Sequence, residues 1–179
     1  MQFGSEMLYV NNPYALLWAT CQLSPQFSEF LRHHLEGHDA RLVFYIDETT
    51  PGNNLRPDTG RSFEAVLWTF ADLPAWFRNR HHGYFKFAFV PSVIVEASSG
   101  GIPDLTKQML LKFFHPSDLS FATASIKLPI GKSDRSWLIK AIFGFFNVDE
   151  RACKFITDVK GAGGLKFCCF CKNVLKRKK

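Results

Sequence analysis

The sequence predicts a mixed α/β fold, and three features of the chain support this. Apolar residues make up 46% of the 179 residues and Phe alone occurs 19 times, which is enough material for a hydrophobic core. Some apolar runs show no alternation with polar residues, a pattern typical of strands that are covered on both faces. Other segments have apolar residues at helical spacing, which predicts helices packed against a sheet.

The first predicted helix begins after Ser24, which is a favourable N-cap, and it has Pro25 in its first turn. Gly37 is a suitable residue to end it. The apolar residues at helical spacing between these positions are Phe27, Phe30, Leu31 and Leu35. The preceding residues 11–23 are predicted only as a short apolar segment that follows a turn.

Residues 41–47 (RLVFYID) contain five consecutive apolar residues and are predicted to form a strand in the middle of the sheet. Turn-forming residues follow at positions 50–54. The next two predicted strands are Phe63–Phe70 and Tyr84–Val95, and the partial alternation in the second favours antiparallel neighbours. The residues from 73 to 83 are predicted to be a long connection.

A second helix is predicted from Pro103 to Phe114, after a glycine-rich loop. Its apolar face would consist of Leu105, Met109, Leu110 and Phe113. Two more strands are predicted at Phe121–Ile130 and Trp137–Val148, joined by a turn at residues 131–134. A last helix is predicted to begin at Asp149 and to end at Lys160-Gly161.

The chain is predicted to have three parts: an N-terminal helical segment (residues 1–40), a main α/β domain (41–160) and a CxxC segment with a basic tail (161–179). The net charge of the whole chain is +6, and Lys172–Lys179 contains five positive and no negative side chains. Such a tail can contact phosphate groups or act as a nuclear import signal. A solvated chain terminus is an equally reasonable interpretation.

The composition also predicts an intracellular protein without membrane contact. No apolar run approaches the ~18–20 residues that a membrane span needs, and the N-terminus has no basic region followed by an apolar one. The five cysteines are an odd number, and three of them crowd into four residues, which does not suit a disulfide framework. Cys21 and Cys153 lie in apolar-rich segments, where a free Cys usually acts as a small buried hydrophobe.

Two acidic residues are candidates for a metal site. Asp47 closes the buried strand and Asp149 follows another strong strand. Carboxylates at the ends of adjacent strands are suitable ligands for Mg²⁺, which prefers oxygen. Each residue also has a structural interpretation, since Asp47 could form an Asx turn into Thr50 and Asp149 could be a helix N-cap.

Cys168 and Cys171 form a CxxC pair after a glycine-rich stretch. One such pair supplies half of a tetrahedral zinc site, and the other two ligands would have to come from elsewhere. No Cys or His occurs in the eight residues that follow. A redox role is less well supported, because the pair does not open a helix after a strand.

Three segments taken together resemble the cut-and-paste DNA transposases of the CACTA-like group. They are LVFYIDETTPGN (Leu42–Asn53), FGFFNVDERA (Phe143–Ala152) and KGAGGLKFCCFCKNV (Lys160–Val174). The resemblance depends on their order and spacing and covers most of the chain, from Arg41 to Val174. It implies an RNase H-like fold, which is a mixed sheet flanked by helices, here incomplete at the C-terminus.

The resemblance also implies site residues, cofactors and a partner. Asp47 and Asp149 would be the first two catalytic carboxylates and would bind Mg²⁺ or Mn²⁺. Cys168 and Cys171 would open a zinc-stabilised insertion. Such a transposase acts on DNA in the nucleus, where it cuts element ends with a metal-activated water and joins the 3′ hydroxyl to target DNA.

The chain departs from the family pattern in two ways. Glu48 follows Asp47 where the family often has Gly, and the third carboxylate and the remaining zinc ligands would lie beyond Lys179. The expected protein is therefore a truncated, mobile-element-derived fragment with little or no nuclease activity of its own. Two alternatives are a non-catalytic nucleic-acid-binding or interaction module that uses the basic tail, and a poorly folded product without function.

Overall fold

The computed structural model describes residues 1–51, 61–116, 120–148, 153 and 156. In this part of the chain, a five-stranded mixed sheet is flanked by helices, which confirms the predicted α/β class. A small two-stranded sheet at the N-terminus is formed by β1 (Gln2–Phe3) and β2 (Glu6–Met7).

The main sheet has a central strand with two neighbours on each side. Its strands, in chain order, are β3 (Asp39–Thr49), β4 (Phe63–Phe70), β5 (Phe85–Pro91), β6 (Ile126–Pro129) and β7 (Ser136–Phe146). Their order across the sheet is β5-β4-β3-β7-β6. The β3–β7 pair is parallel and the other three pairs are antiparallel.

The central position of β3 confirms the prediction from its apolar run. Leu42, Val43 and Phe44 follow one another and are all at least 98% buried, so both faces of this part of the strand are covered. The prediction that β4 and β5 are antiparallel neighbours is also confirmed.

Five helices lie within the described residues up to position 148. They are α1 (Pro13–Leu23), α2 (Pro25–Leu35), α3 (Ala75–Arg78), α4 (Ser92–Ala97) and α5 (Gly101–Phe114), and a 3₁₀ turn covers His81–Gly83. Helix α2 starts as predicted, with the Ser24 hydroxyl accepting the Phe27 N–H at 3.2 Å. The predicted face of α5 is confirmed for Leu105, Met109 and Phe113, which are fully buried.

The interpretation of residues 11–23 as a short apolar segment missed helix α1. The Asn12 side chain accepts the N–H groups of Tyr14 and Ala15 at 3.0 and 3.1 Å, which caps the helix start. Pro13 takes the first helical position, where its missing N–H is not needed. Cys21 on this helix is completely buried, in agreement with its predicted role as a small apolar residue.

Two predicted strands are shorter than expected. The strand from Tyr84 ends at Pro91, and the β-branched residues after it form α4, with Ser92 and Val95 buried one turn apart. Of the predicted strand Phe121–Ile130, only Ile126–Pro129 pairs with β7. Tertiary contacts override the local β propensity at both places.

The core is rich in aromatic rings. Phe44, Trp68, Phe113 and Phe121 are all fully buried, and Phe113 contacts the Phe44 ring at 4.9 Å and the Trp68 ring at 5.3 Å between centroids. Most of the predicted last helix lies outside the described residues. Two of its residues are described as helical: Cys153 is partly buried and Ile156 packs against the main core.

Candidate functional site

Asp47 lies inside β3, two residues before the strand ends, and pairs with Ala65 of β4. Its side chain is partly buried, and its Oδ2 accepts the Tyr45 hydroxyl at 2.7 Å. Residues two apart on a strand share one face, so this hydrogen bond follows directly from the strand. Because the strand continues past Asp47, the alternative of an Asx turn at this residue is wrong.

Further carboxylates lie close to Asp47. Glu48 and Glu64 are direct cross-strand partners on the face of the sheet opposite to Asp47, and Ser92 on α4 donates to Glu48 Oε1 at 3.5 Å. Burial raises the pKa of the Glu64 carboxyl, and the charges of Glu48, Asp47 and Glu96 raise that pKa further. This end of the sheet therefore has a negative potential that attracts cations.

The acidic side chains do not form a complete metal site. Within the described ranges, no group of three or more His, Cys, Asp or Glu residues is arranged to hold one metal ion. Asp149, Cys168 and Cys171 lie outside those ranges, and their predicted roles stay predictions. Of the predicted ligands, the structure therefore places Asp47 alone.

The parallel pairing of β3 and β7 bears on the position of Asp47. The last described partners are Phe44 and Phe146, and the Asn147 N–H continues the ladder by donating to the Phe44 carbonyl at 2.7 Å. Asp47 comes three residues after Phe44 in the sequence, and Asp149 comes three residues after Phe146. The two acidic residues therefore have equal offsets from a described pair of neighbours.

Two hydrogen bonds and one aromatic ring contact join the end of β7 to Asp47. The Asn147 side-chain amide donates to the Tyr84 hydroxyl at 3.4 Å, and the Tyr84 ring packs against the Tyr45 ring with 6.3 Å between centroids. Tyr45 in turn donates to Asp47. Residues just past the end of β7 thus reach the face of the sheet on which Asp47 lies.

Sequence reasoning missed Tyr45, Tyr84 and Asn147. The position of Tyr45 two residues before Asp47 on a predicted strand was a usable signal, since the two side chains had to share a face. Nothing in the sequence pattern indicated Tyr84 or Asn147, because both reach the site from elements that are distant in the chain.

No helix in the described part of the chain is long and apolar enough to cross a membrane. No protein-family model matches the sequence, and no match was found among curated proteins or solved structures.

Proposed function

We propose that this chain is transposase-derived and related to proteins that carry out metal-dependent DNA strand cleavage and transfer. Asp47 and Asp149 would be its two metal ligands. The observation that carries this proposal is the parallel register of β3 and β7, with Phe44 beside Phe146 and both acidic residues three positions further on.

The register supports a shared metal site for a geometric reason. Neighbouring strands lie about 4.8 Å apart, and residues at the same level of a parallel pair point to the same face. Strand β7 ends at Phe146, and Asn147 and Val148 are described outside any strand. If the segment after β7 nevertheless kept following β3, the carboxylates of Asp47 and Asp149 would come within a distance that one Mg²⁺ or Mn²⁺ can bridge. The contacts from Asn147 through Tyr84 and Tyr45 to Asp47 are consistent with such a continuation.

A mixed sheet flanked by helices is the coarse feature that the RNase H-like fold of the resemblance requires. Three antiparallel strands (β3, β4 and β5) come first, helices follow, and β7 then returns parallel to β3 on its other side. The outermost strand β6 is antiparallel to β7 and precedes it in the chain.

The described residues suggest what the protein would contribute at such a site. Tyr45 would hold the Asp47 carboxylate through Oδ2, and in the described part of the chain no hydrogen bond is made to Oδ1. Glu48 and Glu64 point to the opposite face of the sheet, so they would not contact the ion, but their charge would make the potential at this end of the sheet more negative. A bound Mg²⁺ or Mn²⁺ would supply the activation of an attacking water.

Two carboxylates bind such an ion weakly, because Mg²⁺ prefers a full octahedral set of oxygen ligands. We therefore expect that Asp47 and Asp149 by themselves do not support nuclease activity. On the basis of the sequence alone, Cys168 and Cys171 would supply two ligands of a zinc site, and the basic residues of Lys172–Lys179 would direct the protein to the nucleus.

Calorimetric titration of the full chain with Mn²⁺ tests this proposal. We expect weak, saturable binding that is lost in both Asp47→Asn and Asp149→Asn. Asp134→Asn is the matched control, since Asp134 is an exposed carboxylate in the turn between β6 and β7. Binding that survives in Asp47→Asn and Asp149→Asn would contradict the proposal.

A further inference from the structure

An exposed tryptophan lies on a support of other aromatic rings at the contact between α2 and α3. Trp76 is 60% exposed, and its ring centroid lies 5.8 Å from that of Phe30 and 5.9 Å from that of Phe77. His34 packs edge-on against Phe30 at 4.9 Å, and His82 contacts Phe77 at 6.1 Å. We call these five residues the ring platform.

The segment that carries Trp76 is firmly attached to the sheet. Phe77 is buried, the Arg78 Nε–H donates to the Leu73 carbonyl at 2.8 Å, and the Thr69 hydroxyl donates to the Gly83 carbonyl at 2.6 Å. A Cβ atom at Gly83 would collide with the Phe77 carbonyl, so the 3₁₀ turn packs closely against α3. Binding on such a segment costs little conformational entropy, because the segment is already ordered.

The surroundings of the ring platform are basic. Residues 76–84 (WFRNRHHGY) contain two Arg and two His and no acidic residue. In the described part of the chain, no carboxylate forms an ion pair with Arg78 or Arg80. Arg80, His81 and His82 are exposed, as is His33 on the neighbouring helix α2.

The nearby carboxylates are neutralised by other partners. Glu29 on α2 forms ion pairs with Arg32 at 2.8 Å and with Arg135 at 3.3 Å, and Glu36, which follows the helix, pairs with Arg32 at 3.1 Å. Asp72, which precedes α3, is paired with Arg41 at 2.6 Å. The charges that remain beside Trp76 are therefore positive, and they complement an anionic partner.

An exposed indole surrounded by positive charge suits single-stranded nucleic acid, in which each base offers a flat face and each nucleotide a phosphate. A duplex hides its base faces in the stack, so it could use the charges but not the indole. We propose that the ring platform binds single-stranded nucleic acid, with a base stacked on Trp76 and phosphates held by Arg78 and Arg80. This inference does not depend on a metal site at Asp47.

Fluorescence anisotropy of the full chain with labelled oligothymidylate and oligouridylate of about 20 nucleotides tests the proposal separately for DNA and RNA. We expect Trp76→Ala to weaken binding roughly tenfold and Trp76→Phe to restore most of the affinity, since Phe also stacks. Arg80→Gln should lower the salt dependence by about 0.7 in the slope of log K against log salt concentration.

Two controls make the experiment decisive. Trp18→Ala removes an indole on α1 that is 44% exposed and lies outside the ring platform, so it should leave the affinity unchanged. All titrations are done without divalent cations and repeated with Asp47→Asn, so that loss of the metal site and loss of nucleic-acid binding are seen separately.

Binding of either oligonucleotide with the expected dependence on Trp76 would support the proposal. It would be overturned if neither bound at low salt, if Trp76→Ala and Trp18→Ala had equal effects, or if duplex DNA bound better than both single strands. Circular dichroism of Trp76→Ala would confirm that the variant is folded.

Discussion

Phe44 on β3 and Phe146 on β7 are partners across the parallel pair at the centre of the sheet, and their rings lie 6.0 Å apart. Just before them, Leu42 pairs with Phe143 and Val43 with Phe145, so Gly144 is an extra residue on β7. This bulge sets the register of everything that follows on β7. The proposed pairing of Asp47 with Asp149 therefore depends on it.

The bulge at Gly144 leads to a first prediction. A Cβ atom at this position would lie 2.7 Å from the Leu42 carbonyl oxygen and 3.2 Å from the Arg41 Cβ. We expect Gly144→Ala to lower the free energy of unfolding by about 1–3 kcal/mol in urea denaturation, because the backbone of β3 cannot easily give way. Lys140→Ala, an exposed position on the same strand, should change it by less than about 0.5 kcal/mol. Equal stability of the two variants would disprove this account of the bulge.

Ser28 connects helix α2 to the β6–β7 hairpin. The Trp137 Nε1–H donates to Ser28 Oγ at 3.1 Å, and the Ser28 hydroxyl donates to the Pro129 carbonyl at 2.6 Å. Ser28 is fully buried, so Ser28→Ala leaves the Trp137 N–H and the Pro129 carbonyl without this hydrogen-bond partner. The substitution should lower the free energy of unfolding by about 1–3 kcal/mol. The melting temperature of Ser28→Ala measures this, and Ser99→Ala, at an exposed serine in a loop, is the control variant. A Ser28→Ala midpoint as high as that of the control would show that the two bonds contribute nothing.

Glu64 should make stability depend on pH. Its pKa is raised first by burial and then by the charges of Glu48, Asp47 and Glu96. A carboxyl whose pKa is raised on folding favours the folded state below its unfolded pKa, near 4.5, and this contribution is lost as the pH rises through the folded value. We therefore expect Glu64→Gln to be more stable than the wild type at pH 7 and to lose this advantage below about pH 4.5.

Urea denaturation of both proteins at several pH values measures this difference. Glu96→Gln is a suitable comparison, because Glu96 is exposed and should show a smaller effect. If the difference in free energy of unfolding between Glu64→Gln and the wild type stayed constant from pH 4 to pH 7, ionisation of the buried Glu64 carboxyl could not be its cause.

Thr106 on α5 is 95% buried, and its hydroxyl has no hydrogen-bond partner among the described residues. Thr106→Val replaces the hydroxyl by a methyl group of similar size, so we expect the free energy of unfolding to rise by about 1 kcal/mol. Thr20→Val is the matched control, because the Thr20 hydroxyl donates to the Leu16 carbonyl at 2.8 Å and its removal should bring no gain. Calorimetry gives the melting temperatures of both variants. A melting temperature of Thr106→Val below that of the wild type would refute the prediction.

The sequence was informative where one element carried its own signal. The apolar run of β3 predicted a strand covered on both faces, and Ser24 with Pro25 located the start of α2. Helix α1 was missed because it is apolar on most sides and has no clear amphipathic spacing. The β-branched residues of α4 favoured a strand, and their burial as a short helix could not be read from propensity.

For the candidate site, the sequence located Asp47 but not its surroundings. Tyr45 could have been found from strand alternation, whereas Tyr84 and Asn147 come from other parts of the fold. The register between β3 and β7 also depends on the bulge at Gly144, and no local pattern in the sequence marks a bulge within a strand that pairs with a distant partner.

Paramagnetic broadening of amide NMR signals by Mn²⁺ tests the central claim most directly, since it reports where on the sheet a bound ion lies. The account predicts that at low Mn²⁺ concentration the signals of Asp47, its partner Ala65 and Asn147 broaden first, and that Asp47→Asn abolishes this. A metal site between β3 and β7 would be contradicted if these three signals stayed sharp in the presence of Mn²⁺. It would also be contradicted if they broadened equally in Asp47→Asn.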